Sequence, residues 1–160
     1  NDTYPSWGYM VQQGATTIWE LWNGNTANPQ MNSQNHIMLL GDLLIWLFED
    51  VAGIKEAKPA FQKIRMEPSF GNGLAHTNAS YQSPYGSITS NWSYQNGKLN
   101  WKIIIPANTT ATIVLPADNV NNVTESGKKV SESEGVRFIK YENQKTIFEV
   151  GSGSYEFGMR

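Results

Sequence analysis

The chain has 160 residues, of which only 16% are charged, and a net charge of −2. Charged residues make up roughly 25% of a usual globular protein, so here amides and hydroxyls carry the polarity, with 16 Asn along the chain. The lack of a basic cluster argues against a nucleic-acid partner, and the lack of an apolar run of about 18 residues argues against a membrane span. Two histidines and no cysteine speak against disulfides, thiolate chemistry and a structural zinc site. No metal or cofactor is expected, and composition leaves the compartment open.

Residues 1–13 carry the pattern of a short helix. Trp7, Met10 and Val11 fall at helical spacing, Pro5 suits a first helical position, and Gly14 suits the stop. Thr16–Trp22, built from Thr, Ile and Trp, predicts an extended stretch. The Asn-, Gly- and Pro-rich residues 23–32 predict a surface loop or the rim of a site. From Ser33, a residue suited to an N-cap, Ile37, Leu40, Leu44, Leu47, Phe48 and Val51 recur at helical spacing, with Gly53 as the stop. Met38, Leu39, Leu43, Ile45 and Trp46 fill the remaining faces. A helix apolar nearly all round needs burial on nearly all sides. Its own flanks are too short to give that cover, so residues 1–58 read as part of a larger helical body.

Lys55–Pro59 reads as a polar link, because Pro59 discourages helix before it. Beyond it the period switches to two. Ile88, Ser90, Trp92 and Tyr94 share one face of a strand, and Leu99, Trp101, Ile103 and Ile105 share a face of the next. Asn96-Gly97 between them signals a type I′ hairpin. Pro106–Asn108 turns the chain into a strand over Thr109–Leu115. Further hairpins are predicted at Ser126-Gly127 and at Glu142–Lys145, with strands at Val136–Tyr141, Thr146–Val150 and Ser154–Gly158. About seven to nine short strands with regular turns predict an antiparallel β-sandwich over residues 59–160.

Chemistry concentrates at Glu20, which stands between Trp19 and Trp22 just after a Gly14-Ala15 turn and two threonines. A carboxylate so flanked is expected to be partly desolvated, a state suited to proton transfer. Indole faces beside a carboxylate also suit a sugar, whose C–H faces are apolar while its hydroxyls seek acceptors. Against this stands ordinary packing, the role of most Trp side chains, with Glu20 capping or pairing nearby. The rival carboxylates Asp42, Glu49 and Asp50 lie on the predicted helix, the last two near its C-terminus, where solvent or a basic partner explains them. His76 reads as an ordinary surface or turn histidine.

The run Gly14-Ala15-Thr16-Thr17-Ile18-Trp19-Glu20 resembles the matching segment of bacterial α-L-rhamnosidases of glycoside hydrolase family 78. Tyr4-Pro5-Ser6-Trp7-Gly8-Tyr9-Met10 resembles the aromatic run that precedes it in the family. Asn32-Ser33-Gln34-Asn35-His36 resembles the family's Ser-x-Asn-His element at the start of a late barrel helix. Tyr81-Gln82-Ser83-Pro84-Tyr85-Gly86, then Ile88-Thr89-Ser90 and Trp92, resembles the opening of its C-terminal β-domain, and Pro106–Ala111 continues it. The likeness extends over residues 4–116.

This resemblance implies an α+β chain. Residues 1–58 would be the last helices of an (α/α)6 catalytic barrel, and residues 59–160 the antiparallel β-sandwich that follows. It implies a glycoside hydrolase that removes terminal α-L-rhamnose with inversion. Glu20 falls on the general-base position and His36 on the position that hydrogen-bonds the rhamnose ring. Trp19 and Trp22, with Trp7, are candidates to line the pocket, although the motif assigns a sugar contact to none of them and at least one is expected to be packing. The family's general acid belongs to an Asp/Arg/Glu-rich segment that lies upstream, with no counterpart in these residues. The 160-residue chain alone is therefore expected to be inactive, its partners being a rhamnose-containing carbohydrate and the rest of the barrel. The alternative is a non-catalytic β-sandwich module that binds carbohydrate or braces the barrel, and for residues 59–160 taken alone it is the preferred reading.

Overall fold

The computed structural model describes residues 2–71 and 73–159. The chain divides into two compact units, Asn1–Ile45 and Trp46–Arg160.

In the first unit, helix α1 spans Trp7–Gln12. Ser6 caps it, its hydroxyl accepting from the Tyr9 N–H at 3.0 Å. Pro5 therefore lies outside the helix, before the cap, rather than at the first helical position. Gly14, with φ of 89°, ends the helix. The Gly14 N–H reaches Val11 O and the Ala15 N–H reaches Met10 O, the paired bonds of a Schellman stop. The helix buries Met10, whereas Val11 and Trp7 are exposed.

The predicted helix from Ser33 is shorter than expected. Residues 32–36 are non-helical, with a bend at 34, and helix α2 covers Leu39–Trp46. It is entered through tight turns in which Leu39 N–H donates to His36 O and Leu40 N–H to Ile37 O. Ser33 caps nothing: its hydroxyl accepts from the Asn35 N–H at 3.2 Å, while its backbone pairs with residue 20. That long-range pairing outcompetes the local capping signal. After Trp46 the coil widens to a π-turn, Leu47–Val51, closed by Gly53 at φ of 72°. A Cβ on Gly53 would sit 2.1 Å from Pro68 N, so both backbone angle and space demand glycine there. The helix has no buried residue, and Ile37, Met38, Leu40, Leu44, Ile45 and Trp46 are exposed. Of the segment expected to be buried, only its end is: Val51 is 7% and Ala52 1% exposed.

The second unit is a two-sheet sandwich with eleven strands among the described residues, more than the seven to nine expected. They are β1 Ile54–Lys58, β2 Lys63–Met66, β3 His76–Ser83, β4 Gly86–Gln95, β5 Lys98–Ile105, β6 Thr110–Leu115, β7 Val123–Glu125, β8 Lys128–Lys129, β9 Val136–Glu142, β10 Lys145–Val150 and β11 Gly153–Met159. One sheet runs β1-β2-β6-β10-β9 and the other β3-β4-β5-β11-β7-β8. The sandwich is not purely antiparallel, because β2 pairs with β6 in parallel, Lys63 opposite Thr110 through Met66 opposite Ile113. Such a pair needs a long crossover, and strands β3–β5 of the opposite sheet supply it. The stretch read as a polar link is strand β1, paired to β2 from Ile54 opposite Met66 onward.

The hairpins follow their turn residues. Asn96 and Gly97 both have positive φ, 52° and 75°, between Gln95 and Lys98, which face each other. Ser126-Gly127 and Asn143-Gln144 do the same for β7–β8 and β9–β10. The period-two faces point inward as read: Ile88, Ser90, Trp92, Leu99, Trp101, Ile103 and Ile105 are all buried. Trp92 and Trp101 are cross-strand neighbours, and Phe70 meets both edge-on at 5.6 and 5.3 Å. Their indole N–H groups, which need partners once buried, have them. Trp92 Nε1 donates to Val51 O at 2.9 Å, and Trp101 Nε1 to Ser90 Oγ at 3.0 Å, whose own hydroxyl donates to Ala52 O.

Candidate active site

Thr16–Trp22, expected to be extended, forms bends and the start of a turn rather than a strand, and the stretch around Glu20 is held by residues 33–36 running beside it in the opposite direction. His36 N–H donates to Ile18 O at 2.8 Å and Glu20 N–H to Ser33 O at 2.9 Å, while the Thr17 hydroxyl donates to Gln34 O. The connecting residues fold into consecutive turns, with Gly24 N–H on Leu21 O, Ala27 N–H on Asn23 O and Met31 N–H on Asn28 O. Asn, Gly and Pro supply that turn chemistry, so the loop expected at 23–32 is present and brings residue 33 back to residue 20.

Of the four sequence candidates, the side chains of Glu20 and His36 approach each other, while Trp19 and Trp22 have different surroundings. Glu20 Oε2 accepts from the Ser33 backbone N–H at 2.9 Å and lies 3.9 Å from His36 Nδ1. Oε1 has no hydrogen-bond partner among the described residues. The Glu20 side chain is 42% exposed and that of His36 24%, so both keep contact with solvent. Trp19 is buried at 5%, its ring lying against Gly24, where a Cβ would approach within 2.8 Å. It is the packing indole of the set, with little ring surface left for a sugar. Trp22 stays exposed at 41%, as a sugar-stacking face must be.

The rival acids are accounted for elsewhere. Asp50 pairs with Lys55 at 3.1 Å, and Asp42 and Glu49 are exposed. In the sandwich, burial pushes the Glu67 carboxyl up, but hydrogen bonds and charges from Arg65 and Lys145 outweigh it and hold the group below its ordinary range. Hydrogen bonds from Arg137 and Lys63 lower Glu149 in the same way, and the Asn100 amide with Lys102 lowers Glu156. These carboxylates are committed to cross-strand pairs. No group of three His, Asp or Glu side chains is placed to hold a metal ion among the described residues, and none of the described helices is long and apolar enough to cross a membrane.

Sequence reading missed the role of Asn32 and Gln34. Asn32 Oδ1 accepts from Leu21 N–H at 3.2 Å, and both side-chain amides donate to Gly24 O, at 3.3 and 2.9 Å. The only signal was that both fall within the run resembling the Ser-x-Asn-His element.

Known proteins match this chain along its whole length. The bacterial α-L-rhamnosidase six-hairpin glycosidase domain matches residues 1–51, and the bacterial α-L-rhamnosidase C-terminal domain matches residues 53–130. An α-L-rhamnosidase of Formosa agariphila is 35% identical across 98% of the chain, and one of Streptomyces avermitilis is 32% identical across 97%. The chain spans 17% and 15% of the lengths of these relatives. Among solved structures, the Streptomyces avermitilis α-L-rhamnosidase complexed with L-rhamnose superposes with a TM-score of 0.82 at 30% identity, covering 100% of this chain and 15% of that one. The α-L-rhamnosidase from Dictyoglumus thermophilum gives a TM-score of 0.80 at 34% identity, covering 100% of this chain and 18% of that one. The chain belongs to the bacterial α-L-rhamnosidases, to whose C-terminal portion it corresponds.

Proposed function

We propose that this chain supplies the general base of an inverting α-L-rhamnosidase, and that the base is Glu20. The observation that carries the reading is the asymmetric tethering of the Glu20 carboxylate. Oε2 is tied to the Ser33 N–H and faces His36, which leaves Oε1 to hold a water. In the reaction that water attacks the anomeric carbon on the face opposite the leaving oxygen and gives its proton to Glu20. The C–O bond to the aglycone breaks with its electron pair staying on oxygen, and that oxygen takes a proton from an acid outside these residues. An inverting pair of carboxyl groups stands roughly 6.5–9.5 Å apart so that the water fits between. His36, 3.9 Å from Oε2, is beyond direct hydrogen-bond reach and is assigned to a hydroxyl of the bound rhamnose. Trp22 offers the apolar face.

Residues up to the turn at Ala52-Gly53 are assigned to the (α/α)6 barrel. The exposed apolar side chains of α2 support this, being suited to packing against further barrel helices. The 160-residue chain, which lacks the acid, is not expected to hydrolyse rhamnosides unaided. The test is the product of the full-length protein acting on an aryl α-L-rhamnoside, followed by proton NMR from the first seconds. β-L-Rhamnose is expected first, equilibrating afterwards. First-formed α-L-rhamnose would rule out inversion, and with it the role of Glu20 as the base of a single displacement by water.

A further inference from the structure

We infer that Asn32 is a positioning residue for Glu20, an inference that rests on the reading of Glu20 as the base. The two backbone N–H groups that bracket the Glu20 carbonyl are both tied to adjacent residues of the opposite stretch. Glu20 N–H goes to Ser33 O at 2.9 Å, and Leu21 N–H goes to the Asn32 side-chain oxygen at 3.2 Å. The next donor along, Ser33 N–H, holds the carboxylate itself at Oε2. Residues 32 and 33 thus grip Glu20 before it, after it and at its tip. Two of those bonds are made by the Ser33 backbone, and only the Asn32 bond depends on a side chain. Asparagine suits the position because its oxygen accepts from Leu21 while its amide reaches back to Gly24 O at 3.3 Å. Gln34 Nε2 also holds Gly24 O, at 2.9 Å, so the donor half of Asn32 is duplicated and the acceptor half is not.

An aspartate at position 32 keeps the acceptor toward Leu21, replaces the duplicated donor by an oxygen facing Gly24 O and adds a negative charge, whereas an alanine loses both halves of the amide. In the full-length enzyme, Asn32→Ala is expected to lower kcat by up to about 10²-fold, the cost of a reacting group misplaced by an ångström, with KM within about threefold of wild type since the sugar contacts remain. Asn32→Asp is expected to recover most of that loss. Thermal midpoints are measured for both variants. A wild-type kcat in Asn32→Ala would overturn the inference. So would equal losses of kcat in both variants accompanied by equal falls in thermal midpoint, which would mark Asn32 as a merely structural loop residue. Glu20→Gln is measured alongside: if it turns over normally, the reading of Glu20 as base fails and the inference falls with it. If Glu20→Gln is crippled and Asn32→Ala is not, only the role of Asn32 falls.

Discussion

Glu67 shows how single residues in the sandwich respond to charge. It follows β2 and accepts from Arg65 Nε at 2.6 Å and Lys145 Nζ at 2.9 Å, so it links the ends of two strands that flank β6. Its carboxyl titrates below its ordinary value in the folded chain, burial being outweighed by the two cations. A depressed folded value means the contribution is complete above the unfolded value, about 4.3 for Glu, and is lost as pH falls through the folded one. Glu67→Gln should therefore lower the thermal midpoint at pH 7, and the gap to wild type should close as pH drops below about 4. A gap that stayed constant down to pH 3, or none at pH 7, would contradict this. Residue roles were legible unevenly. Glu20 and His36 came from motif resemblance, and the structure brings them to 3.9 Å. That Trp19 would be buried and Trp22 exposed was not readable, because alternating indoles look alike until the loop closes Gly24 over one of them. The Asn32 bond was equally hidden, since its partner is a backbone N–H eleven positions away.

At the scale of elements, legibility follows sequence distance. The hairpins at Asn96-Gly97, Ser126-Gly127 and Asn143-Gln144 were read correctly because turn residues act locally. Strands β1 and β2 were not. β2 pairs in parallel with β6, a partner almost fifty positions on (Lys63 opposite Thr110), and β1 shows one large apolar residue, Ile54, followed by Lys, Glu, Ala and Lys. Only Ile54 of that strand is buried, so its alternation is too weak to see. The helix predicted from Ser33 starts only at Leu39 for the converse reason: a good local cap signal gave way to long-range pairing with residue 20. The sandwich consequently begins before Pro59, and truncation tests it. A fragment 46–160 should unfold cooperatively, whereas 59–160 should be markedly weaker in urea. The shorter one loses Ile54, worth about 1.5–3 kcal/mol of burial. It also strands the Trp92 indole N–H and the Ser90 hydroxyl, which give their hydrogen bonds to Val51 and Ala52, at about 1–3 kcal/mol for each buried donor left without a partner. Equal denaturation midpoints would show that β1 adds nothing.

For the whole molecule, the exposed faces of α2 and the matching lengths point the same way. Leu44 and Ile45 are 49% and 56% exposed, and the chain spans 17% of its Formosa agariphila relative. Side chains of that size contribute roughly 1.5–3 kcal/mol each when buried, which favours packing against further protein. The reading that this chain ends a catalytic barrel and carries its base is tested most directly in the full-length protein by Glu20→Gln. The amide keeps the size of the side chain and removes its basicity. Turnover of an aryl α-L-rhamnoside should fall by about 10²–10⁴-fold with KM nearly unchanged, the usual worth of a positioned general base. Near-normal turnover in that variant would contradict the account and remove Glu20 from the chemistry.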